Sequence, residues 1–359
     1  ARKAEQMMKF ELMRPELDQL EFIKFNYWDG GRKGLLAGEA LHLDLKRMEM
    51  AYHDHNKREY ELTKNISLRQ LNPLALLELK ATGKCEVSLP EWLFDLDTPG
   101  HYLRRIKSVG LTIPAVTGPY TGVHCTLSLL NSSVRHSPLL KDQRYARVEG
   151  EDDRFTDYYG TIQSIVTSGG QNDSGLFEVN LRDERFLPFE GSGAISTWRL
   201  ELPSEFRQFD YDTISDVILH LRYTARPGGD QLRKKASDHV RSLVEAAETS
   251  GLVRLFSLRH DFPTQWHRFV AGEENFEAVI LKDHFPYFVQ AEQIRLSGMD
   301  LYTLADGRLQ TVPVNANLED LTTSLKDDNR FVLSLEPDGG VLRREADAQV
   351  YLLVRYSLG

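Results

Sequence analysis

Few residues in this chain stand in patterns that could carry chemistry, and each pattern has a competing structural explanation. His53 and His55 flank Asp54, a grouping that suggests a metal pair. On a helix a spacing of two turns the imidazoles about 200° apart, so they cannot hold one ion from one face. Glu149, Glu151, Asp152, Asp153 and Asp157 crowd one loop with Gly150 and Gly160. Several oxygens in a loop would suit calcium, but the D-x-[DN]-x-[DN]-G spacing is missing. His260-Asp261 with Trp266-His267 offers a base and its orienter, yet no G-x-S-x-G element or reactive cysteine accompanies them. Phe262, Trp266 and Phe269 read there as packing. Gly169-Gly170 and Gly191-Ser192-Gly193 lack the strand-to-helix setting of a phosphate loop. The sequence therefore assigns no catalytic residue, no metal ligands and no cofactor.

The elements that would position any site are mostly strands. The chain has 359 residues, 41% hydrophobic and 27% charged, with a formal net charge of −9. That is room for two cores, with no basic field to attract nucleic acid or anionic lipid. No apolar run approaches the length of a membrane-spanning helix, and no secretory signal opens the chain. It begins Ala-Arg-Lys and is helix-like at once, as a fragment of a longer polypeptide would be. Cys85 and Cys125 lie in strand-like runs, where they read either as buried thiols or as a bridge.

Residues 2–13 and 16–27 pattern as short helices interrupted at Pro15. A long helix is expected from Gly34 to Lys64, roughly 45 Å at ~1.5 Å per residue. Its stripe of Gly34, Gly38, Leu41, Leu45, Met48, Tyr52, His55, Glu59 and Leu62 alternates spacings of four and three, a heptad-type seam that asks for a partner helix. Short β-patterned runs follow at 83–89, 102–114, 121–130, 160–168, 175–182, 194–202 and 215–225, which argue for an antiparallel sandwich or jelly roll. Pro227-Gly228-Gly229 ends this unit, and an amphipathic helix is expected over 230–249. A second β-rich stretch covers 252–260, 276–281, 287–296, 299–304, 330–335 and 349–357. Both units close on an apolar strand ending in Arg-Tyr and a hydroxyl residue, at Val217–Thr224 and Val350–Ser357. The expected fold is mainly β with N-terminal α-helices: helical stem 1–65, sandwich 66–227, linker helix 228–251, and a second, smaller sandwich 252–359.

Several of these segments, taken in order, carry a resemblance. They are Gly34–Glu39, Thr63–Leu68, Arg104–Lys107, Leu111–Pro114, Gly118–Tyr120, Asn172–Gly175, Phe186–Gly191 and Asp216–Thr224. Together they resemble the C-terminal part of the TcA subunit of the insecticidal Tc toxin complexes, across roughly residues 4–226. In that family TcA pentamers form an α-helical translocation channel inside a shell, and the C-terminal β-domain docks the β-propeller of the TcB–TcC cocoon. The resemblance implies a secreted, non-enzymatic assembly module with TcB/TcC-type partners, a homo-oligomer, and membrane contact only through channel regions outside these residues. TcA chains of this kind end near the Arg-Tyr-Thr strand, whereas this one continues for about 130 residues.

The contact candidates are three loops: Gly118, Pro119 and Tyr120; Asn172, Asp173, Ser174 and Gly175; and Phe186, Pro188 and Phe189. Turn chemistry and core filling by Phe186 and Phe189 explain the same residues without a partner. Gly34, Gly38, Leu41, Leu45, Met48 and Tyr52 are the helix-seam candidates for oligomerisation. Two alternatives stand beside this reading. One is a carbohydrate- or receptor-binding sandwich using Trp92, Trp198, Trp266 or Tyr158-Tyr159. The other is a β-rich glycosidase or sialidase-like enzyme, whose paired carboxylates no sequence spacing reveals.

Overall fold

The computed structural model describes residues 1–28, 35–118, 121–148, 150–167, 176–178, 189–203, 207–272, 275–286, 293–305, 308–337 and 341–358. Helices α1 (Arg2–Leu12), α2 (Pro15–Asp18) and α3 (Leu35–His55) open the chain. Helix α3 ends at His55 rather than Lys64, because Tyr60–Ser67 is strand β1. Asn56-Lys57-Arg58 add no apolar side chain to continue the stripe. Beyond them Leu62, Lys64 and Ile66 turn inward between exposed Glu61, Thr63 and Asn65, the period of a half-buried strand. Glu59 and Leu62 therefore leave the expected helical seam, and the first sandwich starts near Tyr60.

That sandwich is built from β1, β2 (Lys84–Leu89), β3 (His101–Thr112), β4 (His124–Arg135), β5 (Phe155–Thr167), β6 (Leu176–Glu178), β7 (Ile195–Glu201) and β8 (Ile218–Pro227). Its two antiparallel sheets run β1-β8-β3-β6 and β2-β7-β4-β5. One face of each sheet meets in a common core that includes Val87, Leu111, Leu127, Trp198 and Leu221. Cys85 and Cys125 lie in this core as free thiols, and burial pushes both up to about 12. Three short helices interrupt the strands: α4 (Leu68–Leu71), α5 (Pro73–Thr82) and α6 (Glu91–Asp95). The start of α5 follows local rules: the Asn72 side chain accepts from the Ala75 N–H, and Pro73 occupies the first turn.

Helix α7 (Asp230–Ser250) is more than a linker. Its Leu232 and Ala236 join Met13, Tyr102, Leu103, Val134 and Tyr145 in a buried cluster. Gly100 makes this possible. It has φ +73°, and a Cβ there would stand 2.3 Å from the Arg233 Cα.

The second unit contains β9 (Leu252–Ser257), α8 (Leu258–Asp261), α9 (Pro263–Ala271), β10 (Phe276–Leu281), β11 (Ile294–Ala305), β12 (Arg308–Pro313), α10 (Leu318–Asp327), β13 (Arg330–Leu335) and β14 (Val350–Leu358). A four-stranded sheet, β12-β11-β14-β9, faces a layer only two strands wide, β10-β13, which α9 and α10 help to complete. The run expected to continue as a strand to residue 260 stops at Ser257, whose hydroxyl caps α8. Strand β11 runs through a bulge at Leu296/Gly298 and so replaces the two strands expected around it; residues 287–292 of the first lie outside the described residues. The similar endings of the units have a structural counterpart. Tyr223 of β8 and Tyr356 of β14 are both buried in interior strands, each edge-on to a phenylalanine, Phe94 and Phe285.

Candidate docking site

Strand register decides which candidate loops share a surface. His124, which starts β4, pairs with Thr167 at the end of β5, and Thr112, which ends β3, pairs with Leu176 at the start of β6. The connections 113–123 and 168–175 are therefore anchored at one end of the sandwich. Gly118 is exposed there, and its carbonyl accepts from the Thr121 N–H at 3.3 Å. Pro119, Tyr120, Asn172, Asp173, Ser174 and Gly175 lie outside the described residues, as do Phe186 and Pro188.

Phe189, from the third loop, is 5% exposed and meets Trp198 edge-on at 4.9 Å, filling the core. The chain after it zips onto β3, with the Gly191 N–H donating to the Ile106 carbonyl and the Ala194 N–H to that of Arg104. This loop is thus anchored along β3, away from the end that carries the other two.

The second unit docks beside the 113–123 connection. Leu77 of α5 is fully buried in a cluster with Leu255, Tyr302, Tyr351 and Leu353, which lie on the outer face of the second sheet. Arg69 donates to the Leu255 carbonyl at 3.1 Å and pairs with Asp261 at 2.7 Å. Lys80 is 4% exposed, and its ammonium donates to the Asp212 carbonyl at 3.1 Å and to the Tyr351 hydroxyl. Burial brings its amine down from 10.5 to about 8, against the pull of Asp212. Burial likewise pushes the Tyr351 phenol up. These groups line a cavity of about 190 Å³ together with His260. Asp261 is committed to Arg69 and the Ser257 N–H, so it does not orient His260 as a base.

At the opposite end, charges are buried in pairs. Asp95 receives Arg104 at 2.7 Å and the Tyr145 hydroxyl at 2.6 Å. Burial opposes the Arg104 charge, but Asp95, Tyr145 and Glu91 together outweigh it and raise the guanidinium. Arg135 holds Glu91 through two bonds of 2.7 and 2.8 Å. Of the acidic loop, Asp152 is buried against Arg154 and Asp153 pairs with Lys141, which tie the loop to itself, while Asp157 on β5 pairs with Arg147 and ties it to the sandwich. Glu149 lies outside the described residues.

The helix seam finds its partner inside the chain. Met48 and Tyr52 pack on Met8, Leu12 and Leu17, while Leu41 and Leu45 are half-buried and Gly38 is exposed with open space around it. Gly34 lies outside the described residues. A second stripe on α3, outside the expected seam, is Leu36, Leu43 and Met50, spaced by seven and 64%, 54% and 66% exposed. Its regular spacing was the available signal. Among the aromatic candidates Trp198 and Trp266 are core residues, Trp92 is half-buried against the core, and Tyr158 stacks edge-on with Phe10. Tyr159 is 84% exposed.

A family model described as the Tc toxin complex TcA C-terminal TcB-binding domain matches residues 1–225. Toxin subunit YenA2 of Yersinia entomophaga is 39% identical over 232 residues, which cover 63% of this chain and 17% of that protein. The chain thus spans under a fifth of the length of this relative. Among solved structures, Morganella morganii TcdA4 aligns over 62% of this chain and 10% of its own at 23% identity with a TM-score of 0.40. Yersinia pseudotuberculosis TcaA-TcaB aligns over 62% and 13% at 25% identity with a TM-score of 0.41.

Proposed function

The chain belongs, through residues 1–225, to the family of Tc toxin complex TcA C-terminal TcB-binding domains, and from that premise we propose that it is a non-enzymatic docking module of a Tc-toxin-like translocation complex. The complex acts outside the producing cell, and the partner is a TcB-type β-propeller carrying its TcC component. Contact falls first on the end of the sandwich that carries Gly118–Tyr120 and the 168–175 connection, since strand register anchors the two side by side. One observation carries the reading: the family match takes in the N-terminal helices and both sheets of the first sandwich, and stops at β8 before the second unit begins.

Copies of the chain associate through α3, as in the pentamers of the family. Because α1 occupies the Met48–Tyr52 side, the face left for a second copy is Leu36, Leu43 and Met50. Any passage through a membrane belongs to channel regions outside these residues. The test is binding of a purified TcB–TcC-type complex to the immobilised chain, with particle mass measured alongside. Saturable binding that Tyr120→Ala weakens about tenfold supports the reading. No binding at micromolar concentrations overturns it, and a strict monomer overturns the oligomer.

A further inference from the structure

A second concavity lies on the outer face of the β2-β7-β4-β5 sheet, at the end away from the second unit. Cross-strand register lines up four polar side chains in one row: Ser88 pairs with Thr197, Thr197 with Asn131, and Asn131 with Tyr159. A bulge makes the row. Cys125, Leu127 and Leu129 point to the core, and the same period would send Asn131 inward; the register shift between Leu129 and Asn131 turns its carboxamide out. Asn131 is exposed, and Tyr159 stands beside it as a bare ring. Ser88 and Thr197 share a hydroxyl contact of 3.2 Å on the floor. One wall is Arg147, clamped to Asp157 by two bonds of 2.9 and 2.5 Å and also donating to the Ser133 hydroxyl. The hollow measures about 260 Å³.

We propose that this hollow binds a neutral saccharide, with Tyr159 stacking on the C–H face of a pyranose and Asn131 and Asp157 reading its hydroxyls. The chemistry of the floor argues for this occupant. Hydroxyl, carboxamide and carboxylate groups side by side offer donors and acceptors at short spacing, which a polyol can satisfy and an apolar ligand cannot. Arg147 and Asp157 cancel, so nothing selects an anion or a cation. Asp157 nonetheless stays a charged acceptor, held below the usual carboxylate range by its bond from Arg147. A peptide strand would add along a sheet edge, whereas this row runs across the face of the sheet, from β2 at one edge to β5 at the other. A protein partner would meet hydroxyls where the centre of an interface is normally apolar.

The experiment is saturation-transfer NMR on the 359-residue chain with a panel of neutral mono- and disaccharides at millimolar concentrations. Transfer to ring protons of at least one sugar is expected. Tyr159→Ala and Asn131→Ala, both exposed and checked for unchanged melting, weaken binding about tenfold or more. Leu139→Ala, 71% exposed at a site apart from the hollow, leaves it unchanged. No transfer from any sugar overturns the proposal, as does transfer that survives both substitutions. It is equally overturned if a TcB-type propeller covers Tyr159 while no sugar binds.

Discussion

One end of the first sandwich packs against α7 and the other meets the second unit on the side of α5, and opposite chemistry closes the two contacts. At the end under α7 the buried charges come in pairs, Arg104 with Asp95, Arg135 with Glu91 and Arg154 with Asp152. At the end under the second unit a single buried ammonium, Lys80, meets a carbonyl and a phenol beside the apolar cluster around Leu77. Removing one member of a buried pair strands the other charge. Removing a buried cation that has no counter-charge in contact relieves a desolvation cost. Equal burial therefore predicts opposite mutational signs at the two ends.

The largest expected effect is Asp95→Asn, which keeps the shape and leaves buried Arg104 with only Glu91, at 3.9 Å, as a counter-charge. It should cost about 3–5 kcal/mol in urea unfolding, and a loss below ~1 kcal/mol would break the comparison. Leu77→Ala should cost about 3 kcal/mol through the cavity it leaves. That loss falls on the seam between the units, so native-state proteolysis should cut within 228–251 while the first sandwich keeps its melting transition; an uncut chain argues against a separable second unit.

Lys80→Met should raise stability by roughly 1–3 kcal/mol at pH 7, the scale of moving an amine from 10.5 to about 8. Below pH 8 the folded chain carries the charge at a cost. Between about 8 and 10.5 the folded amine is neutral while the unfolded one is protonated, so stability rises with pH relative to the variant. The gap between variant and wild type should therefore narrow over that window. Cys85 and Cys125 titrate in both proteins and cancel, and a gap constant with pH would refute the assignment to Lys80. At the bottom of the scale, Lys141→Ala removes a surface pair of 3.1 Å with Asp153 and should shift stability by under ~0.5 kcal/mol.

Much of the strand inventory was legible because burial and alternation are local. Val109, Leu111 and Ile113 alternate as in a half-buried strand and all three are buried, while Ile106, out of phase by count, reaches the same core because β3 is bulged between Ile106 and Ser108. The near-continuous apolar run Val350–Val354 is buried on both faces of β14, with Leu352 and Val354 facing the ribbon and Tyr351 and Leu353 facing α5. The helix seam was over-extended, because Glu59 and Leu62 fit a heptad by count although Tyr60–Ser67 pairs with β8 along its whole length. Propensity gave way there to a ladder formed with residues far along the chain. Of the candidate site, turn chemistry marked the loops but not their grouping, which depends on which strand ends meet.

By itself the sequence determined most of the strands, though not β1 or β12, together with the break at Pro227–Gly229, the absence of a recognisable catalytic motif and the ordered segments that place residues 1–225 in their family. These rest on short-range periodicity, backbone limits at Gly and Pro, and the order of segments, all present in a linear chain. Tertiary structure alone decided that α1 fills the seam of α3, that Lys80 is buried between units, and that a one-residue bulge turns Asn131 toward Tyr159. Each of these follows from pairing between distant segments, where a shift of one residue exchanges the buried face for the exposed one.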